Sequence, residues 1–375
     1  MYTLILPLLS LASTIAAASE LTVNKITDLN HFLVENLAVR QNGQVLVTTS
    51  APAATLWQVD PTSDRNATLA LSFPGVSGSY GITELQPDVF YVTAGNFSIQ
   101  TRQPIPNSFQ LFEVNMTNYR QRPDGTVITP PLLRKVSTFS NAIVLNGLTH
   151  VDGQPGFVLA ADSFAGVVWK ADIVTGQVTV AIKDASMGPT PNKAAGINGL
   201  KYQSGYLYYT NTGSNLFYRL AISPNATASG TPEIIANVTK GDDFILDSQG
   251  DTYICQQINS LSRVTLDGKL ELIAGTPGSN SSSLLGPTAA AWGRFPRDQN
   301  SLYITTNGGQ SAAAVSNSQG LSRIDLGSAS STSSSGGPAP TSSSQPGAAS
   351  TSAPFSLAKT ITLCFVIVLS FLFAY

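Results

Sequence analysis

Six segments of this chain start alike, and their first residues are the ones able to do chemistry: Glu35-Asn36, Tyr80-Gly81, Asn146-Gly147, Asn198-Gly199, Asp242-Asp243 and Pro287-Thr288. The first members lie 44 to 66 residues apart. Carboxylates, amides and a phenol gathered at one place make a polar pocket that binds by hydrogen bonds, with His150 as an acid–base candidate. Little else is on offer. Two His and two Cys in 375 residues exclude Cys/His zinc sites, a disulfide framework and a Cys–His nucleophile pair. No nucleophile elbow is visible, so serine hydrolysis is unsupported.

His150 falls in the strand that follows Asn146-Gly147-Leu148, where it would face a channel as a base. Tyr80, Tyr202, Tyr206 and Trp292 would wall an apolar pocket near the segment starts. Plain structural readings stand beside these. Asn-Gly and Asp-Asp pairs are ordinary turn chemistry, because Asn and Gly tolerate positive φ. A half-buried, hydrogen-bonded His150 is the other option, and Asn307-Gly308-Gly309 reads as a turn.

The elements that must position these residues repeat. Apolar stretches at 44–50, 88–94, 157–163, 206–212, 251–257 and 301–307 follow the six starts, and heptads ending near 60, 115, 172, 221, 265 and 325 follow those. The heptads' fourth positions are Trp57, Phe112, Trp169, Tyr218, Ser262 and Ser322, spaced 44 to 60 residues apart, and the aromatic ones are expected to fill core. β-Branched and aromatic enrichment between turns means strands, and no long helical period appears. Recurrence near 50 residues predicts an all-β, six-bladed β-propeller with four-stranded blades over 19–326. Innermost strands then line a central channel, and the six starts meet at one mouth.

The pattern Glu…Asn-Gly…Asn-Gly-Leu…Asp resembles the senescence-marker-protein/gluconolactonase-like propellers and their strictosidine-synthase-like relatives, over about 30–326. The resemblance implies that Glu35, Asn198 and Asp242 ligate a divalent cation, that Asn146 contacts substrate and that the Asp, here Asp242 or Asp243, is the catalytic base. A hard cation such as Ca²⁺ takes about 6–8 oxygens, of which these groups could supply half. Two departures stand out. Asn36-Leu37 replaces a small residue and Pro, and Asp243 stands where Gly is usual, leaving open which Asp faces inward.

Composition narrows the partners. Net charge is −2, charged residues are 11% and hydrophobic residues 42%, so no basic footprint for nucleic acid exists. The ends read as addresses. Residues 1–18 resemble a signal peptide. A Ser/Gly/Pro-rich stalk over 327–353 and a hydrophobic segment at 354–375 match a GPI-type signal. Sequons at Asn66, Asn96, Asn115, Asn225, Asn237 and Asn280 fit this route. Cys364 leaves with the tail, so Cys255 is expected to be a buried, unpaired hydrophobe. A monomer on the cell surface or outside the cell, touching the membrane only through a lipid anchor, is the expectation.

Three functions follow. The chain also resembles, in architecture and composition, fungal secreted propellers that include the hetero-Diels–Alderases of tropolone-sesquiterpenoid pathways. That implies a secondary-metabolism enzyme cyclising a small molecule by positioning, with no cofactor needed. The alternatives are a divalent-metal-dependent lactone hydrolase and a non-catalytic surface binding protein.

Overall fold

Burial grades outward along each sheet, which is why the strands differ in composition. The innermost strands are closed off on both faces, as in Leu145–Val151, whereas outer strands such as Val178–Lys183 and Leu270–Gly275 are mostly half-buried or exposed. The structure, a computed structural model, describes residues 20–327 except 30–32, 51–52, 64–66, 99–102, 106, 192–194 and 310–318. The expected leader, His31, Asn66, the stalk after Gly327 and the hydrophobic end lie outside the described residues.

The architecture is all-β, with one short 3-10 turn at Ala185–Met187 among the described residues. Three antiparallel sheets take four consecutive strands each. The first comprises Leu145–Val151, Gln154–Asp162, Val167–Asp172 and Val178–Lys183. The second comprises Ile197–Gln203, Tyr206–Asn211, Leu216–Ala221 and Glu233–Asn237, and the third Gly241–Leu246, Thr252–Gln256, Ser260–Val264 and Leu270–Gly275. A fourth sheet joins Pro287–Trp292, Ser301–Asn307 and Gln319–Asp325 to Val23–Asp28, which closes it from the other end of the chain with Val23 opposite Ile324. An eight-stranded sheet holds two runs of four. One is Leu33–Val39, Val45–Ser50, Thr55–Val59 and Thr68–Ser72; the other is Gly78–Gln86, Val89–Gly95, Gln110–Asn115 and Leu132–Thr138. A single bridge between Ser50 and Gly78 joins the runs.

These sheets form a propeller-like ring. Leu33–Val39 packs against Gly78–Gln86, and the contacts pass through Leu145–Val151, Ile197–Gln203 and Gly241–Leu246 to Pro287–Trp292, which returns to Leu33–Val39. Apolar clusters fill the gaps between neighbouring sheets. The expected aromatic series lies in them: Phe112, Trp169 and Tyr218 are members, and Trp57 packs alongside. Cys255 is fully buried and unpaired, as a small hydrophobe would be. Among the sequons, Asn225, Asn237 and Asn280 are exposed, and Asn96 and Asn115 are half-buried.

Candidate functional site

Every one of the six chemistry-bearing starts coincides with an irregularity in its inner strand. Pairing with the next strand slips between Val34 and Asn36, Ser79 and Ile82, and Leu145 and Leu148. It slips again between Ile197 and Leu200, Gly241 and Phe244, and Pro287 and Ala289. Glu35, Tyr80, Asn146, Asn198, Asp242, Asp243 and Thr288 all fall inside these slips. A bulge re-aims a side chain that regular pleating would send into a neighbouring sheet.

The turn reading of these positions is corrected. Asn146, Gly147, Asn198, Gly199, Asp242 and Asp243 lie within strands, and none has positive φ. The glycines serve close approach. A Cβ on Gly81 would sit 2.3 Å from the Asn146 carbonyl oxygen, one on Gly147 2.6 Å from that of Asn198, and one on Gly199 2.8 Å from the Asp243 Cα. Each bulge therefore nests against the next. Asn307 does cap a turn, accepting from Gly309 N–H.

Buried threonines of the second strands tie the bulges together. Thr210 Oγ1 accepts from Gly199 N–H at 2.9 Å and donates to the Asp242 carbonyl at 2.8 Å, so one hydroxyl serves two neighbouring bulges. Thr48 does the same, accepting from Asn36 N–H and donating to the Tyr80 carbonyl. Thr305 accepts from Ala289 N–H and lies 3.4 Å from the Glu35 carbonyl. These bonds satisfy backbone groups that the slipped pairing releases.

The side chains so gathered are sealed from solvent. Glu35, Asn36, Asn146, Asn198, Asp242 and Asp243 are each no more than 3% exposed. Asp242 accepts from Gln257 Nε2, and Asn198 Nδ2 donates to Thr212. Burial raises the Asp242 carboxyl to about 7, with the nearby Asp243 charge adding to the rise while Gln257 and Asn198 oppose it. Glu35 is pushed well above the usual carboxylate range, first by burial and then by the Asp242 and Asp243 charges. Burial likewise raises the Tyr80 phenol, and the Glu35 charge adds to it.

Asp243 stands apart electrostatically. It pairs with Lys201 Nζ at 3.0 Å and accepts from Asn36 Nδ2 at 2.7 Å across the channel. Both acids of the Asp pair are thus interior, and they face different partners. Among the described residues no three His, Cys, Asp or Glu side chains converge on a metal position. Two carboxylates and an amide remain to be weighed. Glu35 Oε2 and Asn198 Oδ1 are buried with no hydrogen-bond partner. Orphaned oxygens beside Asp242 are the donor chemistry a hard cation takes, so Glu35, Asn198 and Asp242 fit such an ion.

The expected single pocket divides in two. His150, Tyr202 and Trp292 lie at the trailing ends of their strands, four residues beyond Asn146, Asn198 and Thr288, or about 13 Å away at strand rise. The trailing ends are also stitched to each other. Thr83 Oγ1 lies 3.1 Å from His150 Nδ1, Tyr202 N–H donates to Thr149, and Trp292 Nε1 donates to the Leu246 carbonyl. This end is half-exposed, and burial lowers the His150 pKa. Tyr206 opens the second strand of its sheet and lies tilted against Tyr208, ring centroids 6.3 Å apart. An open groove of about 420 Å³ on the flank, lined in part by Tyr91, Glu113 and Arg134, is a separate feature whose charges pair with one another.

Sequence reasoning missed Lys201, Gln257, Thr48, Thr210 and Thr305. Their common signal is position. All but Lys201 lie in or beside second strands at the level of the bulges, and Thr is the β-branched residue that also carries a hydroxyl.

Compared with protein-family models, the chain matches none. Two curated proteins are similar along most of their length. "Putative hetero-Diels-Alderase" of Phoma sp is 28% identical over 300 residues, 73% of this chain and 83% of that protein. "Putative hetero-Diels-Alderase asR5" of Sarocladium schorii is 28% identical over 305 residues, 72% and 74%. Among solved structures, the calcium-binding protein regucalcin of Agrobacterium tumefaciens aligns with TM-score 0.53 at 15% identity, over 82% of this chain and 94% of that one. The PQQ-bound aldose sugar dehydrogenase of Streptomyces coelicolor aligns with TM-score 0.55 at 15% identity, over 82% and 99%. These two likenesses bear on the fold alone.

Proposed function

We propose that this chain is a secreted enzyme of secondary metabolism that carries out a hetero-Diels–Alder type cyclisation on a small molecule held in the channel. One observation carries the reading: both curated relatives named for that reaction match this chain across most of their own length. The likeness covers about three quarters of this chain as well. We also read the eight-stranded sheet as two units of four, since one bridge joins them, which gives six four-stranded blades.

The proposed chemistry suits this inventory. A heterodiene and an alkene form two σ bonds from π electrons, with no atom, proton or electron exchanged with the protein. Catalysis then rests on holding the partners in near-attack geometry, which can contribute several kcal/mol, and on donors aimed at the heterodiene oxygen. Asn146 and Tyr80 would supply those donors, while Tyr202 and Trp292 would bound the hydrocarbon portion towards the trailing end. Asp242 and His150 would act on protons only in preparing the diene, while Asp243 is held by Lys201. A divalent cation on Glu35, Asn198 and Asp242 would supply Lewis-acid polarisation of an oxygen when bound. Lactone hydrolysis and non-catalytic binding have no comparable support.

In this reading residues 1–18 direct secretion, the sequons carry glycans, the tail signals a lipid anchor and the protein is a monomer. The deciding experiment incubates purified protein with a heterodiene and an alkene and resolves the cycloadducts by chiral chromatography. An enriched stereoisomer is expected; a racemic, unchanged product ratio for every pair would end the reading.

A further inference from the structure

The buried cluster carries a carboxylate that the resembled pattern lacks, Asp243, and the chain supplies its own cation for it. Lys201 Nζ sits 3.0 Å and 3.1 Å from the two Asp243 oxygens, Asn36 Nδ2 donates at 2.7 Å, and the Phe244 N–H donates at 2.9 Å. Asp243 is thus saturated. Glu35 Oε2 and Asn198 Oδ1 are the reverse, buried oxygens with nothing to accept from. Side by side stand a neutralised pair and an unsatisfied, oxygen-rich half.

We propose that Lys201 is the charge-setting residue of the cluster: its ammonium claims Asp243, holds that carboxylate away from an ion on Glu35, Asn198 and Asp242, and so weakens the hold on divalent cations. Two effects act in one direction. A fixed positive charge repels an incoming cation, and the carboxylate that it occupies cannot lend its own charge. Lysine is a compact point charge with three donors. Its side chain is 18% exposed, so little water screens it.

The test uses Ca²⁺ alone on chelator-stripped, full-length protein, read by titration calorimetry and by the Ca²⁺-induced shift in melting temperature. It is independent of the cyclisation reading, because no substrate is involved. The pair carries no net charge in the wild type, one negative charge in Lys201→Met, one positive charge in Asp243→Asn and none in the double variant. Ca²⁺ affinity is expected to follow that series. Lys201→Met should bind about tenfold tighter or more, and Asp243→Asn weaker by a similar factor, as for one unit of charge in a partly buried site. The double variant should return to within about threefold of the wild type. Adding Asn198→Ala to Lys201→Met should abolish the gain. Should Lys201→Met fail to fold with its bare buried carboxylate, the double variant must still bind Ca²⁺ more tightly than Asp243→Asn. Equal affinities through the series, no binding by any variant, or a gain that survives Asn198→Ala would overturn the proposal.

Discussion

Thr210 offers the sharpest test of how the bulges are held. Its side chain is fully buried, and its hydroxyl is the partner of both the Gly199 N–H and the Asp242 carbonyl. Thr210→Val keeps the shape and removes the hydroxyl, leaving one buried donor and one buried acceptor unmet. At about 1–3 kcal/mol for each, the loss is about 2–6 kcal/mol. A ring of roughly 300 residues has an unfolding entropy of about 0.6 kcal/mol/K, so the melting temperature should fall by about 3–10 °C. Thr210→Ser retains the hydroxyl and deletes one buried methyl, worth about 1 kcal/mol, so its fall should stay under about 2 °C. Differential scanning calorimetry at one scan rate measures both. A Val variant within about 1 °C of wild type, or a Ser variant as damaged as Val, would show that methyl packing and not the shared hydroxyl holds the bulges.

Other outcomes follow from the same geometry. Asp242 titrates near 7 in the folded chain, and Glu35 is raised beside it. Groups whose native pKa is raised hold protons that the unfolded chain releases, so their stabilisation is complete below about pH 4 and is lost as pH climbs through about 7. In chelator, the melting temperature should fall across that window, and Asp242→Asn should flatten the fall. His150 has the opposite sign, since burial lowers its pKa. Stability from it should drop as pH falls through about 6.5, and His150→Gln should remove that limb in the same melting series. Deleting residues 19–28 removes the strand that completes the last sheet, so circular dichroism should report loss of the fold, whereas deleting 19–21 should leave it intact. A phosphatidylinositol-specific phospholipase should release the native protein from cell surfaces; retention would argue against the lipid anchor.

Much of this architecture is legible in sequence, because each unit repeats its hydrophobic rhythm and its polar start. The segment at 146–153 matches the inner strand Leu145–Val151, and 206–212 matches Tyr206–Asn211. The bulges are not legible. Asn198-Gly199 looks the same whether it turns a chain or packs against a neighbouring backbone, and only the register with Tyr206–Asn211 separates the two. The division of the candidate residues between two ends of the channel escaped for a similar reason. His150 is four residues from Asn146 in sequence, and only an extended strand makes that a separation comparable to the length of a small ligand. Lys201 and Asp243 are 42 residues apart, and their pairing depends on two neighbouring inner strands running alongside each other. Closure by Val23–Asp28 is a long-range contact with no local signal.

That closing strand also fixes an orientation. Gln319–Asp325 runs in the same direction as the inner strand of its sheet, so it finishes at the trailing end, where Asp325 faces Ser301 and Leu302 faces Trp292. Val23 lies opposite Ile324, which puts the outset of the ring at that end too. Any tether continuing past Asp325 therefore leaves from the same end of the ring as Trp292 and His150. On a surface, the protein would thus be held by its half-exposed end, with the sealed carboxylate end farthest along the chain path from the support. The length of the Ser/Gly/Pro-rich segment would set how far that end can stand from the support.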